Sequence, residues 1–423
     1  MELLLLKSLA FLRPILFIDT GARFSSLNLF ELAAILFSGI IFVAFAMRAA
    51  TYKNLNLSVT DLMIGGFVFW CVAIYVIYID KSHINVLAKF IIPPLTYVVA
   101  KSVIPSREEY LKMIWVLILG FSIPLFSSAL LILHGGGGES ISYWTGVPRY
   151  EGVYNGAHDM SHNAAFLLMA IWLYLLLLKE KQIFVRDLSV VTKMLLVLLV
   201  FTATYLLYNS HVRTTIVGLI VFGTVLLTTY YKRPLLIFAA AAILVSSFML
   251  SENIQKRFFP EGVWAEKVSD FDVSNYGSSR PLIWTSQIKV FFGLPVDQQL
   301  AGIGIGNNLS EETGRGNDYI LNKDTHNDFL RVMVHTGIVG LLLFVGLQLA
   351  ILSRILRLES DVKYAFLAIF AAVIVMDLVS NSYVNRFGLG QMSYLVMAYV
   401  ELPSKKGKPV MARDPSEHRQ GYV

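Results

Sequence analysis

Residues 325–354 read "THNDFLRVMVHTGIVGLLLFVGLQLAILSR", a stretch that begins with polar side chains and ends as a long apolar run. A membrane-spanning helix needs about 20 predominantly apolar residues, and the run at 328–353 meets that requirement. The stretch therefore predicts a helix that crosses a bilayer. His326 lies at its mouth, where polar sequence gives way to apolar sequence.

The composition extends this interpretation to the whole chain. Of its 423 residues, 56% are hydrophobic and 15% are charged, and the mean hydropathy is +0.63. Water-soluble domains carry about 25% charged residues, so an integral membrane protein is expected. The single cysteine, Cys71, excludes an intrachain disulfide and a zinc knuckle. The N-terminal apolar stretch lacks a small-residue cleavage site, so we expect no removable signal peptide.

Apolar runs long enough to cross a membrane recur about twelve times, which predicts an all-α polytopic membrane protein. The first run is the weakest, because Lys7 and Arg13 interrupt it. That run could instead lie on the membrane surface as an amphipathic helix. The runs lie near 3–19, 29–47, 60–79, 85–103, 112–133, 160–178, 193–209, 212–230, 234–250, 328–353, 363–382 and 387–402.

The net charge of +6 comes from lysines and arginines in short connections between apolar runs. This placement is typical of topology signals and does not favour a nucleic-acid-binding surface. If all twelve runs span, every other connection is positively charged, and the positive-inside rule places these connections and both termini in the cytoplasm. The charged connections include Arg48 and Lys53, Arg107 and Lys112, Lys179 and Lys181, Lys232 and Arg233, and Arg354 and Arg357.

The runs divide the chain into four parts. Residues 1–250 hold helices 1 to 9, with a non-cytoplasmic loop at 134–158. Residues 251–327 form one large non-cytoplasmic loop, in which "SSRPLIWTSQIKVFFG" predicts a short helix with a Ser cap and an early Pro. Residues 328–402 hold helices 10 to 12, and the polar tail 403–423 is predicted to be disordered. Long segments on one side of a compact bundle usually carry the function.

Three ionisable residues fall at the predicted non-cytoplasmic side, namely Arg213, Arg280 and His326. Ionisable side chains near a bilayer are costly, and this makes them candidates for function. Each also has a structural alternative. Arg213 could extend to the interface, Arg280 could form a surface ion pair, and His326 could cap a helix. His335, further inside its span, is interpreted as a packing or hydrogen-bonded histidine.

Two arginines and one histidine suit group transfer from a phosphate-linked donor. Guanidinium groups bind diphosphate oxygens with paired, charge-assisted hydrogen bonds and offset charge on a leaving diphosphate. A neutral histidine near pH 7 can accept a proton from an attacking hydroxyl. The sequence shows no dense carboxylate or histidine cluster for a metal, so no metal site is predicted.

Three other features were weighed against different functions. Asp270 and Asp272 form a D-x-D, but nucleotide-sugar donors are cytoplasmic and this loop is predicted to lie on the opposite side of the membrane. The "GIGIGNN" at 302–308 has the wrong spacing for a dinucleotide fingerprint and indicates a backbone turn. A transporter or flippase would need functional charges near mid-bilayer and an inverted repeat. Few mid-span charges are present, of which Asp377 is the clearest, and no repeat is visible.

With these residues in view, the chain resembles the O-antigen ligase family, to which O-antigen polymerases and protein O-oligosaccharyltransferases are related. The most specific match is His326, Asn327, nine further residues and Gly337. The ligase pattern then has Thr three positions after the Gly, where this chain has Gly340, so polymerase stays open as an alternative. "SHVRTTIVG" around Arg213, "SSRPLIW" and "RYEGVYNGAHDMSHNAAFLL" (149–168) also resemble family segments.

The resemblance implies a GT-C-like glycosyltransferase of the Gram-negative inner membrane, acting at the periplasmic face as a monomer. The donor would be a polyprenyl-diphosphate-linked O-antigen, and the acceptor a sugar hydroxyl of lipid A–core oligosaccharide. Transfer would invert the anomeric centre without metal or cofactor, and no nucleic acid would take part. The implied roles are general base for His326, diphosphate binding for Arg213 and Arg280, and weaker supporting or substrate-binding roles for Asn327, Arg149, His158 and Asn163.

Overall fold

A computed structural model describes residues 1–19, 23–24, 27–51, 57–80, 82–141, 148–232, 280–314, 321, 324–380, 383–384 and 386–402. Helices form nearly all of the regular structure in these residues. Two short antiparallel pairs of strands accompany them, β1 (Arg23–Phe24) with β2 (Leu27–Asn28), and β3 (Glu139–Ile141) with β4 (Pro148–Tyr150). The predicted all-α polytopic class is confirmed.

The first half of the bundle holds α1 (Glu2–Ile15), α2 (Leu29–Thr51), α3 (Val59–Ile77), α4 (Ile84–Val103), α5 (Arg107–Leu133), α6 (Ala157–Glu180), α7 (Val190–Ser210) and α8 (Arg213–Val225), which a π-helical turn continues to Tyr230. The second half holds α9 (Arg280–Phe291), α10 (Val296–Ala301), α11 (Leu309–Glu312), α12 (Asp328–Leu356), α13 (Val362–Val379) and α14 (Phe387–Met397). Short helices in the predicted large loop, α9 to α11, agree with the sequence expectation.

Within the described ranges, nine helices are long and apolar enough to cross a membrane, namely α2 to α8, α12 and α13. They coincide with nine of the predicted spans. The predicted span 234–250, the residues 251–279 that include the D-x-D, and the tail 403–423 lie outside the described residues. The predicted span 387–402 is an 11-residue helix followed by a 3-10 turn. The count of about twelve spans therefore stays a prediction.

The helix α1 is shorter than the first predicted span. Its 14 residues extend about 21 Å, less than the roughly 30 Å hydrocarbon core of a bilayer. It packs against α5 with Leu6 and Leu9 buried, instead of lying apart on the surface. Arg13, only 1% exposed, donates from Nε to Gln391 Oε1 of α14 at 3.1 Å. The arginine that interrupts the apolar run therefore has a buried polar partner in another helix.

Ion pairs gather the positively charged helix ends at one end of the bundle. Glu401, just after α14, pairs with Lys101 at the end of α4 (2.7 Å) and with Arg354 at the end of α12 (3.2 Å). Arg107 at the start of α5 lies 3.4 Å from Glu180 at the end of α6. These ends are the ones that the charge alternation predicts to share a side.

The candidate residues lie at the opposite end. The helices α6 and α8 run in the same direction, because His162 and Thr215 near their starts approach to 3.4 Å, while Lys179 and Tyr230 meet at their ends, 2.6 Å apart. Eighteen helical residues extend about 27 Å, which separates Arg213 from the charged end by nearly a full bilayer core. The start of α8 therefore lies at the end of the bundle opposite the charged helix ends.

Candidate functional site

Four arginines from distant parts of the chain meet at this end. Arg149 comes from β4, Arg213 begins α8, Arg280 begins α9, and Arg386 immediately precedes α14. Arg280 experiences the charges of Arg213, Arg386 and Arg149, and Arg149 experiences that of Arg213. We call these four residues the arginine cluster. The sequence analysis named three of them, Arg149, Arg213 and Arg280, as candidate site residues.

The electrostatics of the cluster are those of an anion site. Burial, followed by the charges of Arg213, Arg386 and Arg149, lowers the pKa of Arg280 to about 10. Burial and then Arg213 lower the pKa of Arg149. All four side chains are only partly exposed. The guanidinium groups remain charged at neutral pH and repel one another in the folded protein. A bound anion would reduce this repulsion.

Backbone and carboxylate contacts hold two of these arginines in place. Arg280 Nη1 donates to the carbonyl oxygen of Val379 at the end of α13. Arg386 Nε lies 2.7 Å from Asp159 Oδ1 in the first turn of α6, and its Nη1 lies 3.5 Å from Ser380 Oγ. The cluster is therefore built on the ends of α6, α13 and α14.

Arg386 is the functional candidate that the sequence analysis missed. It lies in "NSYVNRFG", at the predicted non-cytoplasmic end of the last apolar run. The criterion that selected Arg213 and His326, an ionisable residue at that membrane level, applies equally to Arg386. The signal was therefore present in the sequence.

The start of α6 places buried polar side chains beside the cluster. His158 lies within range of the charges of Arg386, Arg149 and Arg280. His162 and Asn163 are 0% and 1% exposed. His162 Nδ1 lies 2.7 Å from His158 O, and Asn163 Nδ2 donates to Asp159 O at 2.8 Å. The atoms His162 Nε2 and Asn163 Oδ1 are buried without a protein hydrogen bond, as ligand-binding groups often are.

The segment that carries His326 is held between α9 and the turn before α14. Trp284 Nε1 of α9 donates to Thr325 O at 2.7 Å. Asp328 accepts from Tyr383 N at 2.7 Å and from Val384 N at 3.3 Å. Trp284 lies one turn, about 6 Å, from Arg280, and Tyr383 lies three residues before Arg386. The helix α9 and the turn before α14 thus position both the arginine cluster and the segment that carries His326.

His326 adopts an uncommon backbone conformation, with φ of +48°. A non-glycine residue in the left-handed region costs free energy and persists only where its surroundings impose it. Asn327 begins the next helix as its cap, because its side-chain Oδ1 accepts from Leu330 N at 3.0 Å. The cap uses one polar atom of Asn327. The predicted role of Asn327 in orienting His326 or binding sugar stays a prediction.

His335 has the structural surroundings that the sequence suggested. Its Nδ1 lies 3.2 Å from Gly306 N and 3.1 Å from Gly304 O, and its ring meets Phe90 edge-on. Two residues later α12 is interrupted at Gly337, whose φ is +72°. A Cβ at Gly337 would overlap the backbone of Leu300, so glycine lets α10 approach the interruption closely. The glycine-rich 302–308 segment is thus a packed turn.

Across the residues described, no group of three or more His, Cys, Asp or Glu side chains is placed to hold a metal ion.

The family model described as O-antigen ligase matches residues 196–345. This range contains Arg213, Arg280 and His326, and it ends just after Gly340. Arg149, His158, Asn163 and Arg386 lie outside it. A comparison with curated proteins finds no match.

Proposed function

Since the chain belongs to the O-antigen ligase family by the match of residues 196–345, we propose that it transfers a glycan from a polyprenyl-diphosphate donor to a sugar hydroxyl of lipid A–core oligosaccharide. The family supports glycosyltransferase activity of the O-antigen ligase or polymerase type, with a lipid-linked glycan and a lipid acceptor as substrates in general. The donor, the acceptor and the chemistry below are the proposal.

We place this multi-pass protein in a Gram-negative inner membrane, with both termini cytoplasmic and the site facing the periplasm. The support is the positive-inside rule, together with the ion pairs that gather charged helix ends away from the cluster. A lipid-linked donor would keep its prenyl tail in the bilayer and present its diphosphate at this level. We take the architecture to be GT-C-like and the monomer to be sufficient for activity.

The arginine cluster would bind the donor diphosphate. The observation that carries this step is the convergence of Arg149, Arg213 and Arg386 on Arg280, whose pKa is lowered by burial first and then by the charges of these three groups. A diphosphate placed among them exchanges repulsion for charge-assisted hydrogen bonds, and it stays bound best when its own charge is greatest. That charge grows as the bond from the anomeric carbon to the phosphate oxygen breaks. The cluster therefore favours the transition state over the bound donor.

His326 would act as the general base. A ring nitrogen takes the proton of the acceptor hydroxyl as its oxygen forms a bond to the anomeric carbon. The bond from that carbon to the phosphate oxygen breaks, and the polyprenyl diphosphate leaves with the electron pair. Attack from the face opposite the diphosphate inverts the anomeric centre. Arginines take the charge-neutralising role, so the proposed transfer needs no metal ion and no cofactor.

The test is transfer by the purified protein, with a defined polyprenyl-diphosphate glycan as donor and a chelator present. Lipid A–core and a second glycan-lipid are offered as acceptors in separate reactions. A product formed on lipid A–core supports the proposal. Transfer that requires an added divalent cation, or no transfer to either acceptor, contradicts it.

An O-antigen polymerase is the second candidate, because Gly340 departs from the ligase pattern. It would use the same donor class with a second lipid-linked glycan as acceptor. The two acceptors in the same assay separate these activities. In cells, loss of a ligase leaves bare core and a pool of lipid-linked polymer, whereas loss of a polymerase leaves core that bears one repeat unit.

A further inference from the structure

One face of α9 connects the arginine cluster with a separate polar cavity. Arg280, Trp284 and Gln287 follow one another at intervals of four and three residues, which places them on the same side of a helix. Arg280 lies in the cluster, and Trp284 donates to Thr325 O beside His326. Gln287 lines the cavity. The distance along α9 from Arg280 to Gln287 is about 10 Å.

The cavity has a volume of about 230 Å³. At about 30 Å³ per water molecule it has room for roughly seven waters, which is enough for one sugar ring. Its walls come from α4, α9, α12 and the turn that contains residues 306–309. The polar lining residues are Gln287, Asn307, Asn308, Asp324, Thr325, Arg331 and His335.

The chemistry of the walls suits a ligand with several hydroxyl groups. Asp324 and Arg331 form an ion pair in the wall, so a carboxylate that accepts and a guanidinium that donates stand side by side. The amide side chain of Asn308 is exposed at the edge and can both donate and accept. A sugar ring carries alternating hydroxyls that can satisfy both kinds of group. A diphosphate is less suited to this wall, because Asp324 offsets the positive charge of Arg331.

The position of the cavity relative to His326 matches the demands of inverting transfer. Thr325 lines the cavity, and His326 follows it directly. Along α9 the order is cluster, then the His326 segment, then cavity. An attacking hydroxyl must approach the anomeric carbon from the side opposite the leaving diphosphate. With the diphosphate in the cluster, the order along α9 puts the cavity beyond the His326 segment, on the side away from the leaving group.

We propose that this cavity is the subsite for the acceptor sugar, the ring whose hydroxyl is glycosylated. The inference rests on the proposed function, and it adds where the acceptor binds and which residues recognise it. Gln287, Asn308 and the pair of Asp324 with Arg331 hold the ring so that one hydroxyl faces His326. The cluster and the cavity are then separate binding sites for the two substrates.

The test fills the cavity without touching the cluster. Asn308→Trp places an indole at the exposed edge of the cavity, where the fold can accept it. Initial rates are measured against acceptor at saturating donor, and against donor at saturating acceptor. The KM for lipid A–core should rise at least about tenfold, equivalent to about 1.4 kcal/mol, and the KM for donor should change less than about twofold. Asn308→Ala should raise the acceptor KM about two- to tenfold, the effect of one hydrogen bond.

The matched control is Thr285→Trp. Thr285 is exposed on the outer face of α9, and its hydroxyl bonds to Pro281 O of its own helix. This variant adds the same ring one turn from the site and should keep both KM values of the wild type. If Asn308→Trp lowers thermal stability, the acceptor KM of Asn308→Ala is the measurement that tests the assignment.

Two results overturn the assignment. One is an unchanged acceptor KM in Asn308→Trp, and the other is a rise in donor KM in place of acceptor KM. Failure of the wild type to transfer to any acceptor is a separate result that removes the proposed function. In that case, equal binding of lipid A–core alone to wild type and Asn308→Trp also removes the cavity assignment.

Discussion

Arg386 Nε lies 2.7 Å from Asp159 Oδ1, and this ion pair joins the turn before α14 to the first turn of α6. Arg386 also belongs to the arginine cluster, since its charge acts on Arg280. The carboxylate of Asp159 thus lies beside one of the guanidinium groups that repel Arg280. Asp159 therefore holds Arg386 in position and also reduces the positive potential where a diphosphate would bind.

This arrangement predicts an asymmetry between the two partners. Asp159→Asn should destabilise the ligand-free protein by about 1–3 kcal/mol. The change removes the carboxylate that offsets the charge of Arg386, and it therefore increases the repulsion in the cluster. Arg386→Gln should cost less, since it removes the pair and part of the repulsion together. Thermal unfolding of the purified variants measures both. The double variant should resemble Arg386→Gln alone, and additive effects in the cycle would contradict the coupling.

Substitutions of Arg280 should separate charge from geometry. Arg280→Lys keeps the charge but loses the planar fork, so kcat/KM should fall roughly ten- to hundredfold, the value of one or two charge-assisted hydrogen bonds. Rates of glycan transfer at varied donor concentration measure this loss. If the activity of Arg280→Lys stays within about twofold of wild type, Arg280 contributes its charge and not the geometry of its guanidinium group.

Two variants of Arg280, Arg280→Lys and Arg280→Gln, should also differ in stability. The pKa of Arg280 is lowered to about 10, so folding disfavours the positive charge at every pH below that value. Arg280→Gln, which has no charge, should therefore unfold at a higher temperature than Arg280→Lys near pH 7 without donor. These surroundings should also lower the pKa of a lysine at position 280, so the difference should shrink as the pH rises toward about 10.4, the ordinary pKa of lysine. A lysine variant more stable at pH 7 would exclude repulsion as the cause.

Replacing His326 should remove base catalysis while donor binding persists. His326→Ala should lower kcat by about a hundred- to ten-thousandfold, the usual range for a general base. The acid limb of the pH–rate profile should disappear in the residual activity. His134→Ala, which removes an exposed histidine after α5, serves as the control and should behave as wild type. Near-wild-type transfer by purified His326→Ala would refute the assignment.

The departure from the family pattern at Gly340 has a packing explanation that can be tested. A Cβ at position 340 would overlap the Thr336 side chain and approach Trp70 Cδ1 to 3.2 Å. Both positions are buried. Gly340→Thr alone should therefore destabilise the protein by about 1–3 kcal/mol through overpacking. Adding Thr336→Ala removes the overlap with the Thr336 hydroxyl but keeps the Cβ of residue 336, which would lie 2.5 Å away, so it should recover only part of that loss in thermal unfolding. No recovery at all would place the conflict elsewhere.

The interpretation of single residues shows how far sequence reasoning reached. The spacing from His326 to Gly337 and the lengths of the apolar runs are local properties, so the family resemblance and nine spans could be predicted from them. Arg386 shows the opposite case. Its sequence context carried the right signal, but only its approach to Asp159 and Arg280 makes it part of a cluster. Asn327 likewise matched a pattern, and the structure reveals that its side chain caps α12.

The sequence by itself determined that the chain crosses a membrane repeatedly and which helix ends share a side. Both follow from the free energy of moving apolar and charged groups between water and lipid, which depends on composition along the chain. Only the tertiary structure decided that Arg149, Arg213, Arg280 and Arg386 converge, and that α9 leads from them past Thr325 to a polar cavity. These relationships arise from helix packing between segments distant in sequence, where contact depends on angles and close approaches that no local pattern records.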